Sequence, residues 1–282
     1  MNQSANPLRQ YFRRPSIFLR LPSGGDFWPP EALVPTQNGE FPVFPMTAID
    51  EITYRTPDAL FNGEAVVSVI QSCVPNIANA WEAPSTDINS ILVAIRIASY
   101  GHELELGTVC PNCNHQAEYT LDLRTVLDQL KSPDFKHTIQ HGDLEIFFQP
   151  ISYRHQHETN SVQFEEQKII QMIPNSDLPD EEKLRRLNGA LKRITELTDN
   201  ALKFSIAGIR TPTAFVTEAE FIQEFLNNCD RKLFNQIRDH VIELRQITEL
   251  RPLHIKCTEC GHEYDQPLTL DMASFFEAAS WT

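Results

Sequence analysis

The sequence predicts an α+β chain: a ribbon-like platform of short antiparallel strands plus helices, split by a long helical-hairpin insertion and preceded by an extended N-terminal arm. Three observations lead there. Two C-x-x-C pairs, Cys110/Cys113 and Cys257/Cys260, lie far apart and each is followed by the same short pattern. Apolar residues alternate with period two around the first pair and recur with helical period over the roughly ninety residues that follow its strands. Proline and aromatic residues crowd the first fifty positions. The chain divides accordingly into an arm (1–50), helices with the first cysteine pair and hairpin strands (51–153), a helical insertion (154–249), and the second pair with a C-terminal helix that completes the platform (250–282).

In the arm, Pro7, Pro15, Pro22, Pro29, Pro30, Pro35, Pro42 and Pro45 alternate with Tyr11, Phe12, Phe18, Phe27, Trp28, Phe41 and Phe44. Proline at that density forbids long helices and removes ladder donors, so the segment is expected to be extended or turn-rich. Its aromatics argue against a free, disordered tail. Arg9, Arg13, Arg14 and Arg20 face no acid through residue 25, so the arm carries +4 and the remaining chain −18. A basic aromatic strap on an acidic body can bind its own body or a neighbouring subunit, with Arg9, Arg13, Arg14, Arg20, Phe27 and Trp28 as candidate contact residues.

Helical signals begin at Thr56-Pro57-Asp58, an N-cap hydroxyl, a proline and a first-turn acid, with apolar residues through Ile70 until Pro75. A second helix is expected from a cap at Thr86 or Asp87, with Ile88, Ile91, Leu92 and Ile95 in one stripe and Gly101 at its end. Leu104, Leu106, Tyr119 and Leu121 then mark short strands on either side of the first cysteine pair. A hairpin turn at His141-Gly142-Asp143 leads into alternating Leu144, Ile146 and Phe148. In the insertion, Leu184, Leu187, Leu191, Ile194 and Leu197 predict one long helix over 180–206. Phe221, Phe225, Cys229, Leu233, Ile237, Val241 and Leu244 predict another over 218–248, opened by the capping box Thr217-x-x-Glu220. Joined by a 208–217 loop, the two are expected to form an antiparallel hairpin with both stripes in its core.

Each cysteine pair is a zinc knuckle by local pattern. Cys110-Pro-Asn-Cys113-Asn-His and Cys257-Thr-Glu-Cys260-Gly-His place Asn114 and Gly261 where a left-handed backbone is needed. Tyr119-Thr120-Leu121-Asp122 before Val126-Leu127 matches Leu268-Thr269-Leu270-Asp271 before Phe275-Phe276, with each aspartate placed to cap a helix. A zinc ribbon separates its knuckles by about 15 to 20 residues, whereas 143 intervene here. Loop-closure entropy charges only about 2 kcal/mol for the difference, against roughly 10–16 kcal/mol of apparent structural-zinc binding. The predicted platform is therefore zinc-ribbon-like, with one tetrahedral structural Zn2+ held by Cys110, Cys113, Cys257 and Cys260. A site shared between two chains, a pair of redox-active dithiols, and ligation by His115 or His262 are the competing arrangements. Cys73 and Cys229 lie on predicted helices as inert core thiols.

Composition narrows the function. A 41% hydrophobic content over 282 residues supports real cores and excludes disorder as the dominant state. The net charge of −14 repels a phosphate backbone, so nucleic acid is not an expected partner. No apolar run approaches the roughly 20 residues that cross a bilayer, and the best candidate, 91–98, carries Arg96. Arg13-Arg14-Pro15-Ser16-Ile17-Phe18-Leu19 loosely matches a twin-arginine signal, but Arg20, Pro22, Gly24 and Gly25 end the apolar stretch at once, so the cytoplasm is the expected compartment. No Gly-rich phosphate loop, H-E-x-x-H or G-x-S-x-G occurs, which leaves no catalytic signature and no small-molecule substrate to predict. His155-Gln-His157 would share one face if a strand continued through them; together with His137 and His141 they are otherwise ordinary surface histidines.

The blocks Tyr54-Arg-Thr-Pro-Asp-Ala-Leu-Phe-Asn-Gly-Glu-Ala-Val-Val, Ser72-Cys-Val-Pro, Leu92-Val-Ala-Ile-Arg-Ile-Ala-Ser-Tyr-Gly and Cys110-Pro-Asn-Cys113 resemble the T-even-type myophage baseplate protein family, over residues 40 to 280. The resemblance implies a baseplate hub or hub-assembly component of a contractile tail, partnered by other baseplate or tail proteins and possibly by copies of itself. It also implies a place of action: host cytoplasm during assembly, then the tail baseplate of the virion. It implies no reaction. Two classes of function follow, a non-enzymatic structural or assembly protein, resident or a departing chaperone, and a zinc-ribbon metalloenzyme or nucleic-acid binder.

Overall fold

The arm follows its proline pattern. In the computed structural model, which describes residues 6–54, 63–173 and 179–268 apart from the side chains of 195, 196, 198 and 199, it opens with a single 3-10 turn over Pro7–Tyr11. Strand β1 (Ile17–Arg20) then pairs antiparallel with β2 (Glu40–Val43). Leu19, Leu21, Trp28, Phe41 and Val43 are buried against the body of the same chain. Two polar clasps fix this packing. The Arg13 guanidinium donates to the Pro45 carbonyl (2.6 Å), the Ser72 carbonyl and hydroxyl (2.8 Å each) and Asp50 (3.2 Å). Asp87, fully buried, accepts from the Ser23 amide (2.9 Å), the Ser23 hydroxyl (2.5 Å) and Trp28 Nε1 (2.8 Å).

Beneath the arm lie α1 (Ala48–Tyr54), α2 (Glu64–Cys73) and α3 (Ser85–Tyr100). The Thr56-Pro57-Asp58 start signal lies outside the described residues. Pro84, not Thr86 or Asp87, stands at the N-cap of α3, and its side chain makes no cap bond. Asp87 is instead the third residue of the helix, within its first turn, and its carboxylate is used by the arm. Ile88, Ile91, Leu92 and Ile95 are buried as the stripe requires, and Gly101 closes the helix at φ +89°. Strands β3 (Glu103–Val109) and β4 (Gln116–Asp122) form a hairpin in which Leu104 faces Leu121 and Leu106 faces Tyr119. Asp122 then caps α4 (Leu123–Gln129), accepting from the Arg124 amide at 2.9 Å. The corresponding Asp271 and its helix lie outside the described residues.

A second core gathers around a four-stranded antiparallel sheet in the order β5-β6-β7-β8. Strands β5 (Ile139–His141) and β6 (Leu144–Phe148) turn at Gly142-Asp143, where Gly142 takes φ +58°. Strands β7 (Ile206–Arg210) and β8 (Phe215–Val216) occupy the stretch expected to be a plain helix–helix loop. Between the two hairpins run α5 (Tyr153–Met172) and α6 (Asp180–Ser205), and it is this pair that forms the antiparallel helical hairpin. His155 stacks on Phe204 with centroids 3.7 Å apart near its base, and Glu166 pairs with Arg193 further along. The helix expected over 218–248 is broken into α7 (Ala219–Asn228) and α8 (Arg231–Thr248), because Asp230 accepts from the Lys232 and Leu233 amides and restarts the helix. The break changes the buried face. Ile222 and Leu226 are buried on α7 while Phe221 is exposed, and Leu233, Ile237, Val241 and Leu244 line the core side of α8. Glu218 takes the N-cap of α7 without a side-chain cap bond, so Thr217 does not form the expected capping box. On α6, Leu184 and Leu191 are exposed, so that stripe is not the core stripe its spacing suggests.

Both ends of the insertion are stitched to the first core. The Ser85 amide donates to the Ile151 carbonyl and the Tyr153 amide to the Ala83 carbonyl, each at 2.8 Å, and the Asn89 amide group reaches the Thr248 carbonyl at 3.4 Å.

Burial pushes the Asp87 carboxyl above its ordinary range, although Ser23 and Trp28 hydrogen bonds pull the other way. Removing the acceptor altogether, as in Asp87→Ala, leaves buried donors unpaired and is expected to cost about 1–3 kcal/mol. The titration has its own sign. Because the folded chain holds this proton more readily than the unfolded one, the carboxyl contributes stability below about pH 3.9, its unfolded value, and loses it as pH rises through the raised folded value. Urea unfolding of wild type and Asp87→Asn at stepped pH should therefore favour wild type most near the acid end and progressively less toward neutrality. A difference that grows with pH would mean that the three donors outweigh burial.

Candidate metal centre

Each knuckle is a hairpin loop whose backbone closes on itself. The β3–β4 ladder runs to Val109 opposite Gln116, leaving 110–115 as its loop. Strands β9 (Leu253–Lys256) and β10 (Glu263–Gln266) pair from Lys256 opposite Glu263, leaving 257–262. In the first loop the Cys110 amide donates to the His115 carbonyl and the Asn114 amide to the Cys110 carbonyl, both at 2.9 Å. The second repeats this with Cys257 to His262 at 2.8 Å and Gly261 to Cys257 at 2.9 Å. Asn114 and Gly261 adopt φ +56° and +71°, the left-handed turn that lets both cysteines of a pair point to one side.

The two loops meet face to face. Cys110 Sγ lies 3.7 Å from Cys260 Sγ, Cys113 Sγ lies 3.7 Å from Cys257 Sγ, and all four sulfurs fall within 4.8 Å of one another. A Zn2+ bound at 2.3 Å by four thiolates needs sulfurs about 3.8 Å apart along each tetrahedral edge, so the donor set and its size fit that ion. Cys110 and Cys257 are buried, Cys113 and Cys260 exposed. The hairpins are also joined directly. The Thr108 and Tyr264 hydroxyls are 2.8 Å apart, Tyr119 donates to the Lys256 carbonyl at 3.2 Å, and the Asn112 amide donates to Cys260 Sγ at 3.7 Å. Behind them, Leu250, Leu253 and Leu268 join the first core alongside Leu121, Val126 and Leu130.

Crowding splits the thiol acidities. The His262 amide and the Asn112 amide, with the neighbouring thiol of Cys113, draw Cys260 down to about 6. The His115 amide acts in the same sense on Cys113, but the surrounding thiols of Cys260, Cys110 and Cys257 and burial push it up to about 12. One thiolate thus forms readily and discourages the next, so four thiolates at these distances require a cation among them. With such an ion all four positions of a tetrahedron are filled by sulfur, which suits a structural role because no site remains for water or substrate.

The other candidate residues scatter. Arg13 and Trp28 are engaged with the body, Arg20 pairs with Glu40 at 2.9 Å on the surface, and Phe27 meets Phe135 edge-on at 5.0 Å. Arg9 and Arg14 lie on the surface. His115 and His262 contribute backbone groups to the knuckles, and their rings lie outside the group of mutually close ligand atoms. His155 and His157 are on α5, not a strand, and pack on Phe204 and Trp81. Cys73 is buried and pushed up to about 12 by desolvation, while Cys229 is half-buried. Thr108, Asn112, Tyr119 and Tyr264, which hold the knuckles together, carry no motif; each is recognisable only once the two hairpins are placed against each other.

Differential reactivity follows from these environments. With metal removed by a strong chelator at neutral pH, iodoacetamide followed by peptide mass mapping is expected to label the exposed Cys113 and Cys260 ahead of Cys73, which stays unlabelled until the chain unfolds. Equal labelling of Cys260 and Cys73 would contradict the assigned environments.

Among the described residues no helix is long and apolar enough to cross a membrane. No curated protein and no solved structure matches the chain. A family described as T4 bacteriophage base plate protein matches residues 46–277, a span that takes in both knuckles, the whole insertion and the helices beneath the arm. With most of its length inside that match, the chain belongs to the T4 bacteriophage base plate protein family.

Proposed function

We propose that the protein is a non-enzymatic structural component of a contractile phage tail baseplate, built around one structural Zn2+ bound by Cys110, Cys113, Cys257 and Cys260. The observation that carries the metal assignment is the pair of 3.7 Å sulfur–sulfur edges between knuckles 143 residues apart in sequence. The ion offsets half of the charge of the four thiolates and ties the start of the insertion to its end. Family membership supports the place of action, with other baseplate or tail proteins as partners, host cytoplasm as the site of assembly and the tail baseplate as the destination. Family membership fits both a component that stays in the particle and a chaperone that leaves before the particle is finished.

Elemental analysis of the purified chain should find one zinc per molecule. Cys257→Ser is expected to lose that zinc and to lower the melting temperature sharply, as breaking one of four ligands in a site worth roughly 10–16 kcal/mol of apparent binding should. Unchanged zinc content and melting temperature would overturn the joined-knuckle site. Quantitative mass spectrometry of purified virions separates the two assembly roles, since a resident is present at fixed copy number and a chaperone is absent.

A further inference from the structure

Of the four arginines in the arm, two are consumed within the chain, Arg13 by Asp50 and the Ser72 and Pro45 carbonyls, Arg20 by Glu40. Arg14 bonds only the Gln10 carbonyl, and neither it nor Arg9 has an acidic partner among the described residues. Beside these two cations the arm exposes Leu8 (60%), Tyr11 (77%), Phe12 (58%) and Phe18 (63%). Four large apolar groups within eleven residues, interleaved with cations that meet no acid among the described residues, differ from the scattered exposed apolar residues of an ordinary surface. Arginine and tyrosine are also the residue types that dominate binding energies at protein interfaces. The clasps at Arg13 and Asp87 hold the chain on either side of Arg14 and Phe18, which lowers the ordering cost of binding for that part of the patch, while Leu8, Arg9 and Tyr11 lie on the 3-10 turn just ahead of the first clasp.

The charge of the rest of the molecule identifies what fits this patch. With Arg13 and Arg20 paired to Asp50 and Glu40, residues 1–25 keep +2 of their formal +4 and residues 26–282 keep −16 of their formal −18. We propose that the patch formed by Leu8, Arg9, Tyr11, Phe12, Arg14 and Phe18 docks on the acidic body of a second copy of this chain. This rests on the reading of the protein as an assembly component and names one partner for it. Donor and acceptor are different surfaces, so the contact is heterologous. Copies associate head to tail, into a ring if the rotation closes and an open series if it does not.

Sedimentation velocity of the zinc-loaded full-length chain tests this at about 0.02 M and about 0.5 M salt, which lengthen and shorten the reach of surface charge. Wild type is expected to exceed its 32.3 kDa monomer mass increasingly with concentration at low salt and to revert at high salt. Arg9→Glu with Arg14→Glu, both exposed, should keep zinc content and melting temperature while weakening self-association by about tenfold or more. This variant keeps an intact acceptor body but no donor patch, so an excess of it mixed with wild type should cap wild-type assemblies as 1:1 pairs. The inference is overturned if wild type is monomeric throughout, if the double variant associates as wild type does, or if variant and wild type fail to pair, which would indicate arm-to-arm contact. A chain that is monomeric in solution yet present in purified virions overturns the self-docking alone, whereas self-association with absence from virions overturns the resident reading alone.

Discussion

Two short hairpins meeting sulfur to sulfur set the architecture of this chain. The loop they close is 143 residues long, and the first core continues from the helices under the arm into Leu250, Leu253 and Leu268 only because the second hairpin returns to the first. Direct bonds through Thr108, Tyr119, Asn112 and Tyr264 align the hairpins, but few polar contacts near the surface hold such a junction weakly by themselves. Four thiols within 4.8 Å are mutually repulsive once ionised, and the same crowding becomes strongly attractive around a divalent cation. Four-cysteine centres of this kind couple metal binding to the folding of the chain around them.

The arm illustrates how a segment with little regular structure is fixed. Its prolines limit the conformations lost on folding, its buried Leu19, Trp28 and Phe41 supply apolar contact, and Arg13 and Asp87 supply direction. Asp87 matters most here, since one carboxylate satisfies the Trp28 ring N–H and both donors of Ser23, groups that would otherwise be buried without partners. The polar cost of burying a carboxylate is accepted because it specifies where the strap lies. What remains outward on the arm is a patch of opposite charge to the rest of the chain.

The second core draws on residues both before and after the α5–α6 hairpin, from Phe135–Phe148 and from Leu202–Leu244, and is stitched to the first core through Ser85, Tyr153 and Asn89. Its sheet takes one hairpin from before α5 and one from after α6, so the helical hairpin is itself an excursion between strands. Local chemistry decides its details. Asp230 ends one helix and begins another by offering its carboxylate to two amides, and Gly142 turns β5 into β6.

The sequence by itself determined whatever is encoded within a few residues. Both knuckle loops, including the left-handed Asn114 and Gly261, the short strands carrying Leu104 and Leu121, the Asp122 cap and the stripe of α3 all follow from local sterics and period. Features set by what packs across the fold were not. The 206–216 segment is strand because β6 is there to pair with it, Asp87 leaves the cap for the interior because the arm brings Ser23 and Trp28 to it, and Leu184 and Leu191 are exposed because α6 projects beyond the core its spacing anticipates. Periodicity reports that a face is apolar, whereas only the tertiary arrangement decides what covers it, since burial depends on partners distant in sequence. The same reason makes the four-sulfur cluster a tertiary fact: each C-x-x-C pair folds its own half, and the distance between the halves is decided by everything that lies between them.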